Sequence, residues 1–213
     1  MKERRAAHRA PEELFPLFLK LAGRRAVVVG AGRVAEGKIA GLVRCGAKVC
    51  VVAPRASTRV RAWARRGVLF WKKQRFQPRH LQGAFLAVAA TSSATVQEAV
   101  FRESRRRGIL CNSVDDPSHC DFYYPAVVRR GALQIAISTG GQSPALAQRL
   151  RKELERQFGP EFARWLAHLG AMRQRLFAQP MPAERRRRLL HRLASARAFA
   201  AVRAGRKAHR NLR

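Results

Sequence analysis

The apolar residues alternate between two periods along the first half of the chain. A continuous run, Ala26-Val27-Val28-Val29, reads as a buried strand over 25–29. From Glu36 the pattern becomes helical, with Ile39, Leu42 and Val43 on one face of a helix over 34–44 that Gly46 closes. A second strand, 49–52, meets Ala53-Pro54, and a helix over 57–66 leads to a short strand over 68–71. Pro78 opens a turn. Residues 85–89 form the next strand, Thr91-Ser92-Ser93 cap a helix over 94–107, and 109–112 complete the set. Strands that alternate with helices in this way build a parallel, doubly wound sheet, so the fold class is α/β.

After Asn112 the pattern changes. Ser113-Val114-Asp115-Asp116-Pro117 is turn-forming and lies just past the C-terminal end of a strand, where open α/β sheets bind their ligands. Strands over 123–128 and 133–138 are joined by Arg129-Arg130-Gly131 as a hairpin. Next comes Ser138-Thr139-Gly140-Gly141-Gln142-Ser143-Pro144, whose hydroxyls and glycines suit an anionic group and whose proline starts a helix. Along that helix Leu146, Leu150, Leu154 and Phe158 recur every fourth residue, a narrow stripe for core or subunit contact, and Gly159-Pro160 ends it. Helices over 161–178 and 183–204 follow. The expected organisation is a nucleotide-binding domain over 1–120, a small α+β dimerisation region over 121–158, and a basic helical unit over 159–213 with a disordered tip after Gly205.

The 213 residues, 47% of them hydrophobic, support one ordinary core with a smaller appended unit. No apolar run approaches the roughly 20 residues that span a bilayer, and the charged N-terminus lacks the core of a signal peptide, so a soluble, cytoplasmic protein is expected. Cys45, Cys50, Cys111 and Cys120 show no zinc-ligand spacing and read as free buried thiols. Charge narrows the choice of partner: 44 Lys+Arg against 13 Asp+Glu give +31, which favours nucleic acid, an anionic membrane surface or a substrate with many carboxylates. The excess is densest at the end, where Arg185 to Arg188 are followed by Arg192, Arg197, Arg203, Arg206, Lys207, Arg210 and Arg213. Leu189, Leu190, Leu193, Phe199 and Val202 are interleaved there as in a basic amphipathic helix. There is no zinc-finger spacing, RNP-type aromatic motif or convincing helix-turn-helix.

Between the first strand and helix, Gly30-Ala31-Gly32-Arg33-Val34-Ala35 fits a Rossmann-like dinucleotide cradle. Gly30 allows the tight turn, Gly32 lets backbone approach a pyrophosphate, and small Ala35 allows helix to pack on strand. The acidic residue that ordinarily takes the ribose hydroxyls is missing, because the second strand runs into Val52-Ala53-Pro54-Arg55. On the residues alone NAD and NADP stay open, and Arg55 would tolerate a 2′-phosphate.

Several segments resemble, in order, the precorrin-2 dehydrogenase family, which includes the N-terminal module of siroheme synthase. They are Phe15-Pro16-Leu17-Phe18-Leu19, the stretch from Val29 to Ala35 with Lys38, Val51 to Pro54, Ala89-Ala90-Thr91, Cys111 to Pro117, Phe122 to Pro125, and Ile137 to Pro144. The resemblance covers roughly residues 14 to 158. It implies NAD as cofactor, oxidation of precorrin-2 to sirohydrochlorin and, in bifunctional members, insertion of ferrous iron. That family also ends its second strand in Ala-Pro.

By this resemblance Asp115 is the catalytic base. Gly30, Gly32, Arg33, Val34 and Ala35 surround the pyrophosphate and adjoining ribose, Pro54 and Arg55 flank the adenosine ribose, and Thr91 and Asn112 line the nicotinamide end. Thr139, Gly140, Gly141 and Ser143 bind substrate, Thr139 standing where some relatives have Ser, and the hairpin with its following helix makes a homodimer. Asp116 reads as a turn residue, and His80 and His119 as polar residues outside any metal site. A nucleotide-sensing regulator with nucleic-acid-binding basic helices is the alternative, and a chelatase that keeps the nucleotide domain as scaffold is a third.

Overall fold

The computed structural model describes residues 13–200, and the expected tip after Gly205 lies outside them. The chain divides between Tyr124 and Pro125 into two compact units. In the first, β1 (Arg25–Val29), α1 (Arg33–Arg44), β2 (Lys48–Val52), α2 (Thr58–Arg65), β3 (Phe70–Lys72), β4 (Leu86–Ala89), α3 (Ala94–Arg106) and β5 (Leu110–Ser113) follow one another, with a 3-10 turn at Pro78–Leu81. The five strands are parallel in the order β3-β2-β1-β4-β5. Strand order reverses at β1, so β1 and β4 flank the crevice where such sheets bind ligands.

Alternate side chains explain why this sheet needs helices on both faces. Val28, Val49, Val51 and Val88 pack with Ala35, Ile39 and Leu42 of α1 and Val60 of α2. Val27, Val29, Cys50, Val52, Ala87 and Cys111 pack with Val100 of α3 and with Leu81. The central strands are thus buried on both sides, which is why they read as unbroken Val-rich runs. Ser57 and Ser93 cap α2 and α3 by accepting from the amides of Val60 and Val96.

The β3 strand starts later than the pattern predicts. The Val68 amide closes α2 by donating to Trp63, while Phe70 to Lys72 pair with β2 and the Trp71 indole donates to the Ala53 carbonyl at 2.9 Å. The cysteines also differ: Cys50 and Cys111 are buried, Cys120 is half-buried and Cys45 is exposed.

The second unit holds β6 (Ala126–Arg130), β7 (Leu133–Ile137), α4 (Pro144–Gln157), α5 (Glu161–Ala178) and α6 (Ala183–Leu193). The hairpin is tighter than expected, because Arg129 and Arg130 belong to the strand and Gly131-Ala132 make the turn. Arg129 donates across the hairpin to Gln134 at 2.6 Å, and Arg130 donates to the carbonyls of Phe158 and Glu155 at the end of α4. A charged side chain that caps a helix C-terminus is thereby drawn into a strand. Tyr123 to Pro125 form no strand. The last predicted helix is interrupted at 194–195, where Ser195 caps a new turn by accepting from Ala198; Val202 and Arg203 onward lie outside the described residues.

Register places Lys72, Val52, Val29, Ala89 and Ser113 in one row across the first sheet. Immediately past that row Gly30 adopts φ +107, and a Cβ there would lie 2.1 Å from the Ala90 carbonyl oxygen. Gly30→Ala should therefore cost more than about 2 kcal/mol in denaturant unfolding, from both clash and φ. Gly32→Ala, where a Cβ would meet nothing within 4 Å, should cost less than about 1 kcal/mol.

Candidate active site

The β1–α1 turn presents an anion cradle at the C-terminal edge of the sheet. Gly30 donates to the Val52 carbonyl at 2.9 Å, and the Ala31 carbonyl accepts from Ser57 at 3.0 Å, which ties the turn to the loop after β2. Gly32 is the N-cap of α1 and supplies no side-chain cap. The first-turn amides of Arg33, Val34 and Ala35 have no intrahelical acceptors and form the positive end of the helix dipole. Arg33 and Val34 are exposed, whereas Ala35 is buried against the sheet. A pyrophosphate fits this arrangement: the space a side chain at Gly32 would take is open, and the donors there are unmatched. Glu36, in the same turn, lies 3.9 Å from Arg59.

Pro54 and Arg55 are both exposed beside this cradle, and Arg55 has no ion pair among the described residues. Thr91, at the exit of β4, is half-buried. Its hydroxyl accepts from the Ser93 amide and its carbonyl from the Gln97 side chain at 2.8 Å. Gln97 also donates to the Val114 carbonyl at 3.1 Å, so one α3 side chain fastens the exits of β4 and β5 together. Sequence reasoning missed Gln97, whose sole signal was an amide one turn into α3.

The loop after β5 is built around Asn112 and Cys120. Asn112 is buried, and its side-chain amide donates to the Phe122 carbonyl at 2.8 Å and toward the Cys120 sulfur at 3.3 Å. The Cys120 thiol points back at the carbonyls of Ser113 and Asp116, at 3.1 and 3.2 Å. Asp121 adds two bonds, its carboxylate accepting from the Cys111 amide and its own amide donating to the Cys111 carbonyl. Burial pushes the Cys111 thiol up to about 11, which leaves it an inert apolar filler. Asn112 thus shapes the loop, and its donor groups are directed into it.

Asp115 stands at the tip of this loop, exposed, with φ +62. It is the one non-glycine residue in the left-handed region among the described residues, a conformation that costs on the order of 1 kcal/mol for a side chain such as Asp. Its neighbour is employed differently. The Asp116 carboxylate accepts from Ser118 and His119, each at 2.6 Å, and these bonds hold its pKa below the ordinary value. His119 in turn packs on Phe101. His80 is buried, accepts from the Gln77 amide and contacts Gln74, and burial keeps it neutral by lowering its pKa. No group of three His, Cys, Asp or Glu side chains suited to a metal occurs among the described residues.

In the second unit the loop between β7 and α4 carries Thr139, Gly140, Gly141 and Ser143. The Thr139 hydroxyl accepts from the Ser143 amide and the Ser143 hydroxyl from the Leu146 amide, both at 3.2 Å. Gly140 and Gly141 take φ values of +60 and +81 and are exposed. Both hydroxyls therefore brace the N-terminus of α4 and retain their O–H protons for a ligand. Of the stripe on α4, Leu150, Leu154 and Phe158 are half-buried and Leu146 is exposed, while Ala147 is the residue fully buried.

Residues 17–126 match the family described as Putative NAD(P)-binding, and residues 130–157 match the family described as Sirohaem biosynthesis protein central. Siroheme synthase 1 of Aeromonas salmonicida is 36% identical over 184 residues, 86% of this chain and 39% of that protein. Siroheme synthase 1 of Cronobacter sakazakii is 41% identical over 163 residues, 76% of this chain and 35% of that protein. The chain thus spans about two fifths of the length of these relatives. The solved structure of SirC, a precorrin-2 dehydrogenase, superposes with a TM-score of 0.76 at 28% identity, covering 88% of this chain and 92% of that one. With both modules matched in sequence order and the SirC fold followed over nearly its whole length, the chain belongs to the precorrin-2 dehydrogenase family.

Proposed function

We propose that the protein oxidises precorrin-2 to sirohydrochlorin with NAD, and that Asp115 is the general base. The observation that carries the reading is the position of Asp115. It leaves the sheet two residues past the row that also contains the ends of β1 and β4, so it shares the edge on which the cradle opens. Two strand spacings, about 10 Å, separate the exits of β1 and β5, a span that an extended dinucleotide bridges.

NAD, when bound, supplies the hydride acceptor. The first-turn amides of α1 hold its pyrophosphate, Pro54 and Arg55 flank the adenosine ribose, and Thr91 borders the nicotinamide end. Oxidation takes a hydride, which NAD would accept, and a proton from the macrocycle; the Asp115 carboxylate takes the proton and passes it to water. Exposure of Asp115 suits that last step. Precorrin-2 carries eight carboxylates, and a chain of net charge +31 draws such an anion from a distance, less so in high salt. Thr139, Gly140, Gly141 and Ser143 offer hydroxyls and amides to one of those carboxylates. The names of the relatives support a second use of Asp115, deprotonating pyrrole N–H groups when ferrous iron enters as substrate. These matches favour the dehydrogenase over a nucleic-acid-binding regulator. Dependence on NAD accords with action in the cytoplasm.

The protein acts as a homodimer in this reading. A two-stranded sheet is marginal by itself, and among the described residues β6 and β7 each have an unpaired edge that a second copy would cover. Sedimentation at micromolar concentration should give twice the chain mass, and a monomer would contradict the pairing. Anaerobic incubation with precorrin-2 and NAD should yield sirohydrochlorin and reduced nicotinamide together, and Asp115→Asn should slow this by about 100-fold or more. Full turnover by Asp115→Asn would remove Asp115 from the chemistry.

A further inference from the structure

Directly after β5 the chain turns over residues 113–116. Val114 and Asp115 form the centre of this turn, and the Asp116 amide donates to the Ser113 carbonyl at 3.4 Å. Asp115, the third residue, has φ +62, whereas Val114 has no positive φ. That combination belongs to a type II turn: the mirror-image turns need a positive φ at the second residue, and type I needs none. Types I and II differ by a half-rotation of the central peptide, here the one that joins Val114 to Asp115. Glycine suits the third position of type II, so an aspartate left to itself favours type I. A bond from elsewhere must hold this peptide in its costlier orientation.

The peptides on either side have bonds of their own. The Val114 amide donates to the Ala89 carbonyl at 2.9 Å, and the Cys120 thiol bonds the carbonyls of Ser113 and Asp116. Among the described residues the central peptide has one bond, from the half-buried Gln97 side chain on α3 to the Val114 carbonyl at 3.1 Å. The same Gln97 nitrogen donates to the Thr91 carbonyl at 2.8 Å, so it is anchored and cannot follow the peptide if that rotates. One such bond and the strain at Asp115 are of the same order, and loss of the bond is enough to tip the turn. A planar trans peptide whose carbonyl is aimed at α3 turns the Asp115 N–H away from α3. Rotation of that peptide changes φ at Asp115, and with it the χ1 rotamers open to the carboxylate. We infer that Gln97 is a positioning residue: by bonding the Val114 carbonyl it keeps the turn in its type II form and so sets the direction of the Asp115 carboxylate. The inference rests on the reading of Asp115 as the base. It also makes Thr91, at the nicotinamide end, the fixed point from which the base is aimed.

The test reads the turn by NMR and turnover by precorrin-2 oxidation, with thermal unfolding recorded for each variant. In a type II turn the Val114 Hα lies beside the Asp115 amide proton, whereas in type I the amide protons of Val114 and Asp115 lie beside each other. Wild type should show the first nuclear Overhauser contact. Gln97→Met keeps the length of the side chain without its donors, and should show the second contact with kcat lowered about tenfold. Gln97→Met combined with Asp115→Gly should regain the first contact, because glycine meets the positive φ without strain. The inference is overturned if Gln97→Met keeps the wild-type contact. It is equally overturned if Gln97→Met turns over like wild type, or raises KM for the tetrapyrrole with kcat unchanged. Should Gln97→Met fail to fold, Gln97→Glu decides in the same way at neutral pH, where its carboxylate has no proton to donate. Inactive Asp115→Asn beside wild-type kcat in a Gln97 variant whose turn has changed would sink the positioning role alone. Active Asp115→Asn would remove the base and the role of Gln97 with it.

Discussion

The close approach of Gly30 to Ala90 is the contact on which the rest of the site depends. β1 and β4 are neighbours at the point where strand order reverses, and their exits touch so tightly that even a methyl group at position 30 is excluded. Because Gly30 turns without a side chain, the chain enters α1 at once, and the amides of its first turn open on the same edge as the β4 exit. A bulkier turn would push α1 off the sheet, and Ala35, Ile39 and Leu42 would lose their seat against Val28, Val51 and Val88. Packing and ligand geometry are thus settled by one contact.

A second layer of order lies in the loop after β5. Parallel register brings Ser113 level with Val29 and Ala89, but register says nothing about what the chain does next. That is decided by side chains from three places: Gln97 on α3, Asn112 within β5, and Cys120 at the return. They enclose a backbone that is strained at Asp115 and paired on either side of it. Such strain persists when the surroundings over-determine it, and it is concentrated here at the residue with the proposed chemistry. Division of labour between the adjacent carboxylates follows: Asp116 spends its acceptors on Ser118 and His119, and Asp115 keeps both oxygens free of partners among the described residues.

The sheet and its helices were legible because strands buried on both faces leave Val runs and each helix shows its inner stripe. The cradle was legible because the need for absent side chains at Gly30 and Gly32 leaves glycines at fixed spacing. What escaped notice depends on which partner a given amide or side chain finds in the folded chain. Arg129 and Arg130 look like turn residues until Gln134 and the end of α4 claim their guanidinium groups. Val68 looks like strand until Trp63 takes its amide. The break before Ser195 is a capping serine within an otherwise continuous amphipathic pattern. Cys120 looked like a filler thiol; with Asn112 it is the clasp of the loop. Lys38 stood within the glycine segment that carried the resemblance, but a lysine on a helix does not announce the aromatic ring it meets.

The central claim is that one edge of the parallel sheet holds both the nucleotide and the base. Amide hydrogen exchange of the protein with and without NAD, resolved by segment, tests it most directly. Bound nucleotide should slow exchange at the β1–α1 turn, in the loop after β2 and around Thr91, and should reach Val114 and Asp115. Protection confined to other segments, or NAD that leaves exchange at the β1–α1 turn unaltered at saturation, would contradict it.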